Sequence, residues 1–244
     1  MNTPFFSIVV PTLNEERFIT ILLNSLFEQT EKDFEVLIVD GLSKDKTVNK
    51  VETFSSNFPL RLVRHKAQNV GAQRNHGAGL AQGKFLIFFD ADVWVDAGFL
   101  ANLKQKLQKG GIDFASPLVI LDSHHLFDRI IELAINVFMI LLARMHRPLM
   151  TGQAFIINRD GFLQIGGFDP TIVHAEDGEL SMRAAGNNLR GTMISDLKVV
   201  VSARRFEREG RLKVLAKYVH ANLYMAIKGP IRSHLFTYKM GGKP

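Results

Sequence analysis

Short apolar runs alternate with longer amphipathic segments through the first part of the chain. The runs are rich in Val, Ile, Leu and Phe and are bounded by polar or turn-forming residues, so each predicts a buried strand. They lie at residues 6–10, 34–39, 60–63 and 85–89. The first strand is expected to end at Pro11, and helices are expected between the strands, one capped by Asn14 and one over residues 71–81. This alternation predicts an α/β fold, with a mostly parallel sheet and helices on both faces.

The second half of the sequence is less regular. Residues 128–144 predict a helix that is apolar almost all round, with Arg129, Glu132 and Asn136 as a narrow polar stripe. Further elements are predicted as a strand at 154–157, a helix at 177–185 that ends at Gly186, a strand at 199–201 and a helix at 211–227. We expect one domain over residues 1–203, with halves at 1–95 and 96–203, and a basic helical segment at 204–244.

Composition limits the classes of protein that fit. The chain has 244 residues, of which 46% are hydrophobic, and this is enough for a sizeable core. It has no cysteine, which excludes disulfides and thiolate metal sites. The formal charge of +6 favours anionic partners such as nucleotide phosphates, nucleic acid or an acidic membrane face. The start of the chain does not read as a signal peptide, and no apolar run reaches the roughly 20 residues of a transmembrane helix. We expect a cytoplasmic protein.

The apolar helix predicted at residues 128–144 needs a covering, because a helix that is apolar all round is not stable in water. Three coverings fit the sequence. The helix could lie in the protein's own core, or it could form the interface of a homodimer. It could also lie at the inner face of a membrane, with the basic C-terminal helix beside it, as a peripheral association.

Three aspartates follow predicted strands. Asp40 follows the second strand, and Asp90 and Asp92 follow the fourth. Ligands of parallel sheets bind beyond the carboxyl ends of the strands, so the first half is a candidate nucleotide-binding half. Residues two apart in an extended backbone point to the same side, and two carboxylates there suit Mg²⁺ or Mn²⁺. Each aspartate also has a structural interpretation as a turn or strand-end residue, and for a lone D-x-D that interpretation is the stronger one.

The second half adds one acidic pair and one arginine. Glu176 and Asp177 precede a predicted helix, where Asp177 could cap the helix, act as a general base, or do both. Arg204 follows the last predicted strand and could hold a diphosphate, as could Arg74 in the third helix. For both arginines a solvated surface position is an equally good interpretation from sequence position alone.

Two other functions remain open from these residues. A nucleotidyltransferase would use a similar sheet and metal, but it usually has a Gly-rich basic loop after the first strand, and PTLNEE is not such a loop. A non-catalytic nucleotide-sugar-binding protein would not need the acidic set. The chain has no phosphate-binding P-loop, no G-x-G-x-x-G after the first strand and no nucleophile elbow, which weakens the NTPase, dehydrogenase and hydrolase interpretations.

The motifs taken together resemble the inverting family 2 glycosyltransferases of the GT-A fold. The stretches that carry the resemblance are SIVVPTLNEE, FEVLIVDGLSKDKT, GAQRNHGAGLAQGKFLIFFDADV and GGFDPTIVHAEDGELSMRAAG. They run from Ser7 to Gly186, in the order and roughly the spacing of the family. Each stretch is weak alone, but the set is quite specific.

The resemblance implies a role for each matching residue. Asp177 would be the catalytic base, and Asp92 with Asp90 would hold a Mg²⁺ or Mn²⁺ ion. The donor, a UDP- or GDP-sugar, would be bound by Pro11, Thr12, Leu13, Glu15, Asp40, Arg74, Asp90 and Arg204. Gly152, Gln153 and Glu176 would lie near the donor sugar and the acceptor, which would be a glycan or a lipid-linked molecule. No nucleic-acid partner is expected.

Two departures from the family pattern change what is expected. The family often has Asp-Asp-Gly-Ser after the second strand, whereas Asp40 is followed here by Gly41 and Leu42, so the residues that contact the base are expected to differ from the family pattern. The Q-x-x-R-W box of processive synthases is absent, and SARRFEREG stands in its place. We therefore expect transfer of a single sugar, with inversion of configuration.

Overall fold

The computed structural model describes residues 3–66, 69–145 and 147–232. Its strands are β1 (Phe6–Thr12), β2 (Phe34–Asp40), β3 (Leu60–Arg64), β4 (Phe85–Phe89), β5 (Val93–Trp94), β6 (Phe114–Asp122), β7 (Ala154–Asn158) and β8 (Gly191–Ser202). Its helices are α1 (Ile19–Phe27), α2 (Thr47–Glu52), α3 (Val70–Leu80), α4 (Phe99–Gln108), α5 (Leu126–Arg144), α6 (Arg159–Gln164), α7 (Glu176–Gly186), α8 (Arg204–Glu209) and α9 (Arg211–Lys228). The four apolar runs of the first half are therefore strands, as predicted.

The described strands form one eight-stranded sheet in the order β3-β2-β1-β4-β7-β6-β8-β5. The pairs β2–β3, β1–β2, β1–β4 and β6–β8 are parallel. The pairs β4–β7, β6–β7 and β5–β8 are antiparallel, so the sheet is mixed. Since β1, β2, β4 and β6 run in the same direction, their carboxyl ends meet at one edge of the sheet.

Alternate residues of the central strands feed two hydrophobic cores, one on each face of the sheet. Ile8 and Ile87 pack with α1 and α4 on one face. Val9 and Phe88 pack with residues of α3, α6 and α7 on the other. Most positions of a strand that is buried on both faces are apolar, which explains the mainly apolar runs in the sequence. The buried polar residues Ser7 and Glu35 are exceptions, and Ser7 Oγ donates to Glu35 Oε1 at 2.6 Å. Helices cover both faces, as expected.

Helix α3 lies unusually close to the sheet at one residue. A Cβ atom built on Gly77 would stand 2.4 Å from Val9 Cγ1 and 2.9 Å from Val39 Cγ2. Glycine therefore permits the helix to approach β1 and β2, and this offsets the roughly 1 kcal/mol by which glycine weakens a helix. The N-terminus is fixed by Asn69, whose side chain accepts a hydrogen bond from Ala72 N at 3.0 Å. This close packing sets the position of Arg74, one turn earlier.

Helix α5 presents two residues of its predicted polar stripe, Glu132 and Asn136, to the sheet, whereas Arg129 of that stripe is exposed. Strand β6 pairs with β7 only at Phe114 and Ala115, so the later part of β6 lacks a strand on that side. The side chain of Asn136 accepts from Val119 N at 3.1 Å and donates to Val119 O at 2.8 Å, and Glu132 Oε2 accepts from Leu121 N at 2.8 Å. Side chains of α5 therefore replace the missing strand and satisfy the backbone of β6.

Two expectations near the first strand are wrong. Pro11 does not end β1, because its partner ladder with β2 continues to Thr12. The ladder from β1 to β4 ends at Val9, so the missing N–H of proline does not interrupt it. Asn14 does not cap α1, which begins at Ile19 with no side-chain cap. Asn14 instead takes a left-handed backbone with φ 54° in the loop.

In the second half of the chain the structure differs more from the elements that the sequence predicts. Asp177 does not cap its helix, because α7 begins at Glu176 after Ala175, and Gly186 is the last helical residue instead of a stop beyond it. Strand β8 is 12 residues long, although only residues 199–201 were predicted. Its exposed positions break the apolar run, and its pairing with β6 shifts register between Pro117 and Leu118. Strand β6 and helix α4 were not predicted.

Helices α8 and α9 follow β8. Helix α9 corresponds to the predicted helix at 211–227, and the rest of that segment, residues 233–244, lies outside the described residues. Helix α8 and the start of α9 pack on α5 through Phe206, Val214 and Ile131. Of the helices in the described residues, none is long and apolar enough to cross a membrane.

The loop after β2 contains a strained residue. Leu42 has φ 67°, a left-handed conformation, and its side chain is exposed. The turn is tight because Asp40 Oδ2 accepts a hydrogen bond from Ser43 N at 3.0 Å. This conformation destabilises the folded state by roughly 1–2 kcal/mol for a residue with a Cβ atom. For glycine the loss of backbone entropy on folding costs about 0.5–1 kcal/mol.

We expect Leu42→Gly to raise the free energy of unfolding by about 0.5 kcal/mol, since the strain exceeds the entropy cost. Urea denaturation measures the change. Leu42→Ala is the matched control, because it removes the exposed side chain but keeps the Cβ atom. An equal gain in both variants would mean that the side chain, and not the backbone, is the source.

Candidate functional site

The carboxyl ends of β1, β2 and β4 carry the predicted donor residues. Thr12 ends β1 and lies opposite Asp40, the last residue of β2, in the parallel ladder. Both side chains are buried, and Asp90 directly follows β4. Pro11 is buried next to Thr12, and Leu13 is half-buried just beyond it. These residues therefore share one edge, as the parallel topology requires.

The loops after β1 and β2 are bonded to each other. Asn14 N donates to Ser43 Oγ at 2.9 Å, and Lys44 N donates to Asn14 Oδ1 at 2.8 Å. Glu15 N donates to Thr47 Oγ1 at 2.8 Å. Since the bonds run in both directions, the two loops form one continuous floor beside the strand ends.

Arg204 joins Glu15, in the loop after β1, to Asp92, which follows β4. Its Nη1 lies 2.8 Å from Glu15 Oε2 and its Nη2 lies 3.0 Å from Glu15 Oε1, a bidentate pair. Its Nε lies 3.1 Å from Asp92 Oδ2, and the guanidinium stacks over the Phe18 ring at 4.3 Å. Arg204 was predicted to hold a diphosphate, and the structure places it between the carboxylates of Glu15 and Asp92.

Arg74 joins the two halves of the site. Its guanidinium is buried and lies 2.9 Å from both Asp90 Oδ1 and Glu176 Oε1. Its Nη2 also donates to the carbonyl of Gly152 at 2.8 Å, and the Phe168 ring lies 5.2 Å from its Cζ. A planar cation with several donors can hold three acceptors in fixed positions, which a lysine cannot do.

Asp177 lies against the same group. A Cβ atom built on Gly152 would stand 3.1 Å from Asp177 Oδ2 and 3.2 Å from Arg74 Nη2, so Gly152 passes closely between these two side chains. Gln153 is half-buried, and its carbonyl accepts from Asp90 N at 3.4 Å. The predicted acceptor-side residues therefore meet the predicted donor-side residues at Arg74.

Negative charge exceeds positive charge in this cluster. Five carboxylates (Glu15, Asp90, Asp92, Glu176 and Asp177) surround two guanidinium groups. Burial raises the pKa of Asp92 to about 6, Arg204 opposes this rise, and Asp90 and Glu15 add to it. Burial also raises the pKa of Glu176 and of Asp177, against the opposing charge of Arg74. A bound cation would relieve this excess.

The donor set fits Mg²⁺ or Mn²⁺. Within the described residues there is no group of three or more His, Cys, Asp or Glu side chains that could hold a metal. Mg²⁺ is usually bound by one or two carboxylates, with waters and substrate phosphates as the remaining ligands. Asp90 and Asp92 offer such a pair, so the residues present fit a metal that is completed by a diphosphate.

Two details of the aspartate prediction need correction. Ala91 and Asp92 form a turn and not an extended segment, so the alternation argument does not place their side chains. Arg74 and Arg204 bring the two carboxylates to the site instead. Asp40 closes the turn of its own loop, where its Oδ2 accepts from Ser43 N. It lies at the other end of the edge.

Sequence reasoning missed two aromatic residues, Phe18 and Phe168. They stack on Arg204 and Arg74, respectively. No sequence feature marks either residue as part of the site, because a phenylalanine that stacks on a cation cannot be distinguished in the sequence from a phenylalanine of the core. Phe168 stands in the GGFD stretch of the resemblance, and only its position there could have marked it.

Similar proteins were found at the level of structure. The mannosyltransferase PcManGT from Pyrobaculum calidifontis, solved with GDP-Man and Mn²⁺, matches with a TM-score of 0.73 at 21% identity, over 94% of this chain and 72% of that chain. TarS 1-349 from S. aureus, solved with UDP-GlcNAc, matches with a TM-score of 0.68 at 24% identity, over 81% of this chain and 58% of that chain. At these identities the likeness shows the fold alone.

Relatives were also found at the level of sequence. A "PGL/p-HBAD biosynthesis glycosyltransferase" of Mycobacterium bovis (strain BCG / Pasteur 1173P2) is 39% identical over 94 residues, which are 38% of this chain and 37% of the relative. TarS of Staphylococcus aureus (strain Mu50 / ATCC 700699), named a poly(ribitol-phosphate) beta-N-acetylglucosaminyltransferase, is 37% identical over 95 residues, 37% of this chain and 17% of the relative. The matched segments thus span a minor part of either relative.

The architecture is that of the GT-A fold, the fold of nucleotide-diphospho-sugar transferases. The model of glycosyl transferase family 2 matches residues 7–167, well over half of the chain. The chain belongs to glycosyl transferase family 2.

We expect Arg74→Lys to lower the free energy of unfolding by about 2 kcal/mol, because a lysine leaves part of the buried acceptor set unsatisfied. The melting midpoint should fall by about 4–8 °C, measured by thermal denaturation. Arg190→Lys is a matched control, since Arg190 pairs with Asp113 at an exposed position. Equal midpoints for the two variants would show that Arg74 does not hold the site together.

Proposed function

We propose that this chain transfers one sugar from a nucleotide-diphospho-sugar to an acceptor hydroxyl, with inversion of configuration. Asp177 acts as the general base, and Asp92 with Asp90 holds Mg²⁺ or Mn²⁺. The observation that carries the proposal is the bridge of Arg74, which lies 2.9 Å from both Asp90 and Glu176. It keeps the aspartates of the leaving group and the acidic pair of the base at one site.

The leaving-group half consists of Asp90, Asp92, Arg204 and Glu15. A Mg²⁺ or Mn²⁺ ion held by Asp90 and Asp92 would neutralise the charge of the leaving diphosphate. Arg204 lies beside these aspartates, because its Nε pairs with Asp92. Its bidentate pair with Glu15 holds the guanidinium in that position. When the donor binds, the guanidinium exchanges a carboxylate for a phosphate, which offers it the same planar pairing.

The base half consists of Asp177 with Glu176 and Gly152. Asp177 takes the proton of the acceptor hydroxyl, whose oxygen then attacks the anomeric carbon from the face opposite the diphosphate. The new bond forms as the bond to the diphosphate breaks, so the configuration inverts. Burial raises the pKa of Asp177. A base works best when its pKa approaches the working pH, and this supports the assignment.

The donor side is supported by the proteins with similar folds. Their complexes contain UDP-GlcNAc in one case and GDP-Man with Mn²⁺ in the other. In this chain Asp40 and Thr12 would contact the base or ribose, with Pro11 and Leu13 beside them. Gly152 and Gln153 would line the donor sugar and an acceptor that is a glycan or a lipid-linked molecule. The reaction would then take place in the cytoplasm, at the inner face of the membrane.

We expect Asp177→Asn to lower the transfer rate by at least about 100-fold, because the amide cannot accept the proton. Binding of UDP or GDP with Mn²⁺ should stay within about twofold, since the base does not contact the nucleotide. Calorimetry measures the binding, and an assay of released nucleoside diphosphate measures the rate. Asp33→Asn is the control, as Asp33 is exposed and precedes β2 at the opposite edge.

The same assay separates the competing functions. Full activity of Asp177→Asn would refute the base assignment. Release of pyrophosphate from a nucleoside triphosphate and a sugar 1-phosphate, with no nucleoside diphosphate released from the nucleotide-sugar, would identify a nucleotidyltransferase. Binding of nucleotide without turnover in either assay would identify a non-catalytic protein. The anomeric configuration of the product, read by NMR, tests inversion separately.

We expect Asp92→Asn to abolish the dependence of nucleotide binding on Mn²⁺. Removing one of two carboxylate ligands weakens a Mg²⁺ or Mn²⁺ site that has few protein ligands. Binding of UDP or GDP with and without EDTA measures the effect. In the parent chain EDTA should weaken binding by at least about tenfold, or about 1.4 kcal/mol. Equal sensitivity of parent and variant to EDTA would place the metal elsewhere.

A further inference from the structure

Helix α5 exposes an apolar face along its whole length. Seven large side chains share this face at helical spacing, and we name them the α5 face: Leu126, Ile130, Leu133, Val137, Phe138, Leu141 and Met145. The most exposed are Leu126 at 73%, Met145 at 68% and Leu133 at 65%. Large apolar side chains that lie side by side at such exposure mark a binding surface.

The charges of α5 are divided between its two sides. Asp128 is fully buried and pairs with Arg211 at 2.8 Å, and Glu132 is turned to the backbone of β6. Both acidic side chains of the helix are thus held by the protein. Arg129 and Arg144, near the two ends of the helix, are exposed. The outward side therefore combines apolar residues with positive charge only.

We propose that the α5 face lies on an anionic lipid surface, with Arg129 and Arg144 at the headgroups. A helix with an apolar face and basic flanks lies in the plane of the interface, and its binding combines apolar burial with attraction to anionic lipid. The formal charge of +6 acts in the same direction, since it draws the whole chain toward an anionic surface. This surface is separate from the acidic site.

The same charges disfavour a second copy as the covering. In a two-fold dimer the same patch meets itself. An antiparallel pair of α5 helices would bring Arg129 of one copy toward Arg144 of the other, and a parallel pair would bring each arginine toward its own copy, so like charges approach in both arrangements. The acidic residues of α5 are held by Arg211 and by β6, so they cannot compensate this repulsion.

A lipid surface at α5 would also lie close to the site along the chain. The helix ends at Arg144, and the chain reaches Gly152 shortly afterwards, where Arg74 and Asp177 meet. An acceptor anchored in the lipid would enter from this side. This part of the inference rests on the proposed transferase function, whereas lipid binding itself does not.

Vesicle flotation of the full chain tests the proposal. Vesicles of phosphatidylcholine with phosphatidylglycerol should carry the protein upward, and vesicles of phosphatidylcholine alone should carry at least about fivefold less, since anionic lipid adds about 1 kcal/mol per basic residue near the surface. Leu133→Glu should abolish flotation. Leu163→Glu is the matched control, because Leu163 is 49% exposed on α6 and lies outside the α5 face.

Each outcome bears on the proposal. Flotation of the parent and of Leu163→Glu, but not of Leu133→Glu, supports it. Absence of flotation in the parent, or equal flotation of both variants, overturns it. A dimer in lipid-free buffer that Leu133→Glu dissociates would assign the α5 face to a second copy. Circular dichroism checks that each variant is folded, and none of these readouts depends on transfer activity.

Discussion

The buried guanidinium of Arg74 is the interaction on which the candidate site depends. It is held by α3, which Gly77 allows to approach the sheet, and it reaches Asp90 after β4 and Glu176 at the start of α7. These carboxylates come from distant parts of the chain, and each would repel the other without a cation between them. The arginine thus holds the two acidic segments side by side, although burying its own charge is unfavourable.

A second constraint shapes the half of the sheet beyond β7. Strand β6 extends beyond its short pairing with β7, and polar side chains of α5 bind the backbone of β6 where a neighbouring strand is missing. Because Glu132 and Asn136 bind the backbone of β6, the outer side of the helix is left with apolar residues and the two exposed arginines, Arg129 and Arg144. The exposed α5 face is therefore a consequence of how β6 is satisfied, and the fold presents it whether or not anything binds there.

The sequence predicted the parts that follow from local pattern. Short and mainly apolar runs identified the central strands, and polar residues at their ends identified the candidate edge of the site. The contacts of Arg204 with Glu15 and of Arg74 with Glu176 could not be predicted from spacing, because they join residues far apart in the chain. The orientation of α5 was also hidden, since a polar stripe has the same helical period whether it faces water or a strand backbone.

The hydrogen bonds between the loops after β1 and β2 have an evolutionary consequence. Each loop supplies donors to the other, as Asn14 and Lys44 illustrate, so the two bind in a single register. An inserted residue in either loop would move its donors away from their acceptors and leave several polar groups unpaired at once. Insertions should therefore be tolerated only in pairs, and the lengths of the two loops should covary among homologues that keep this floor.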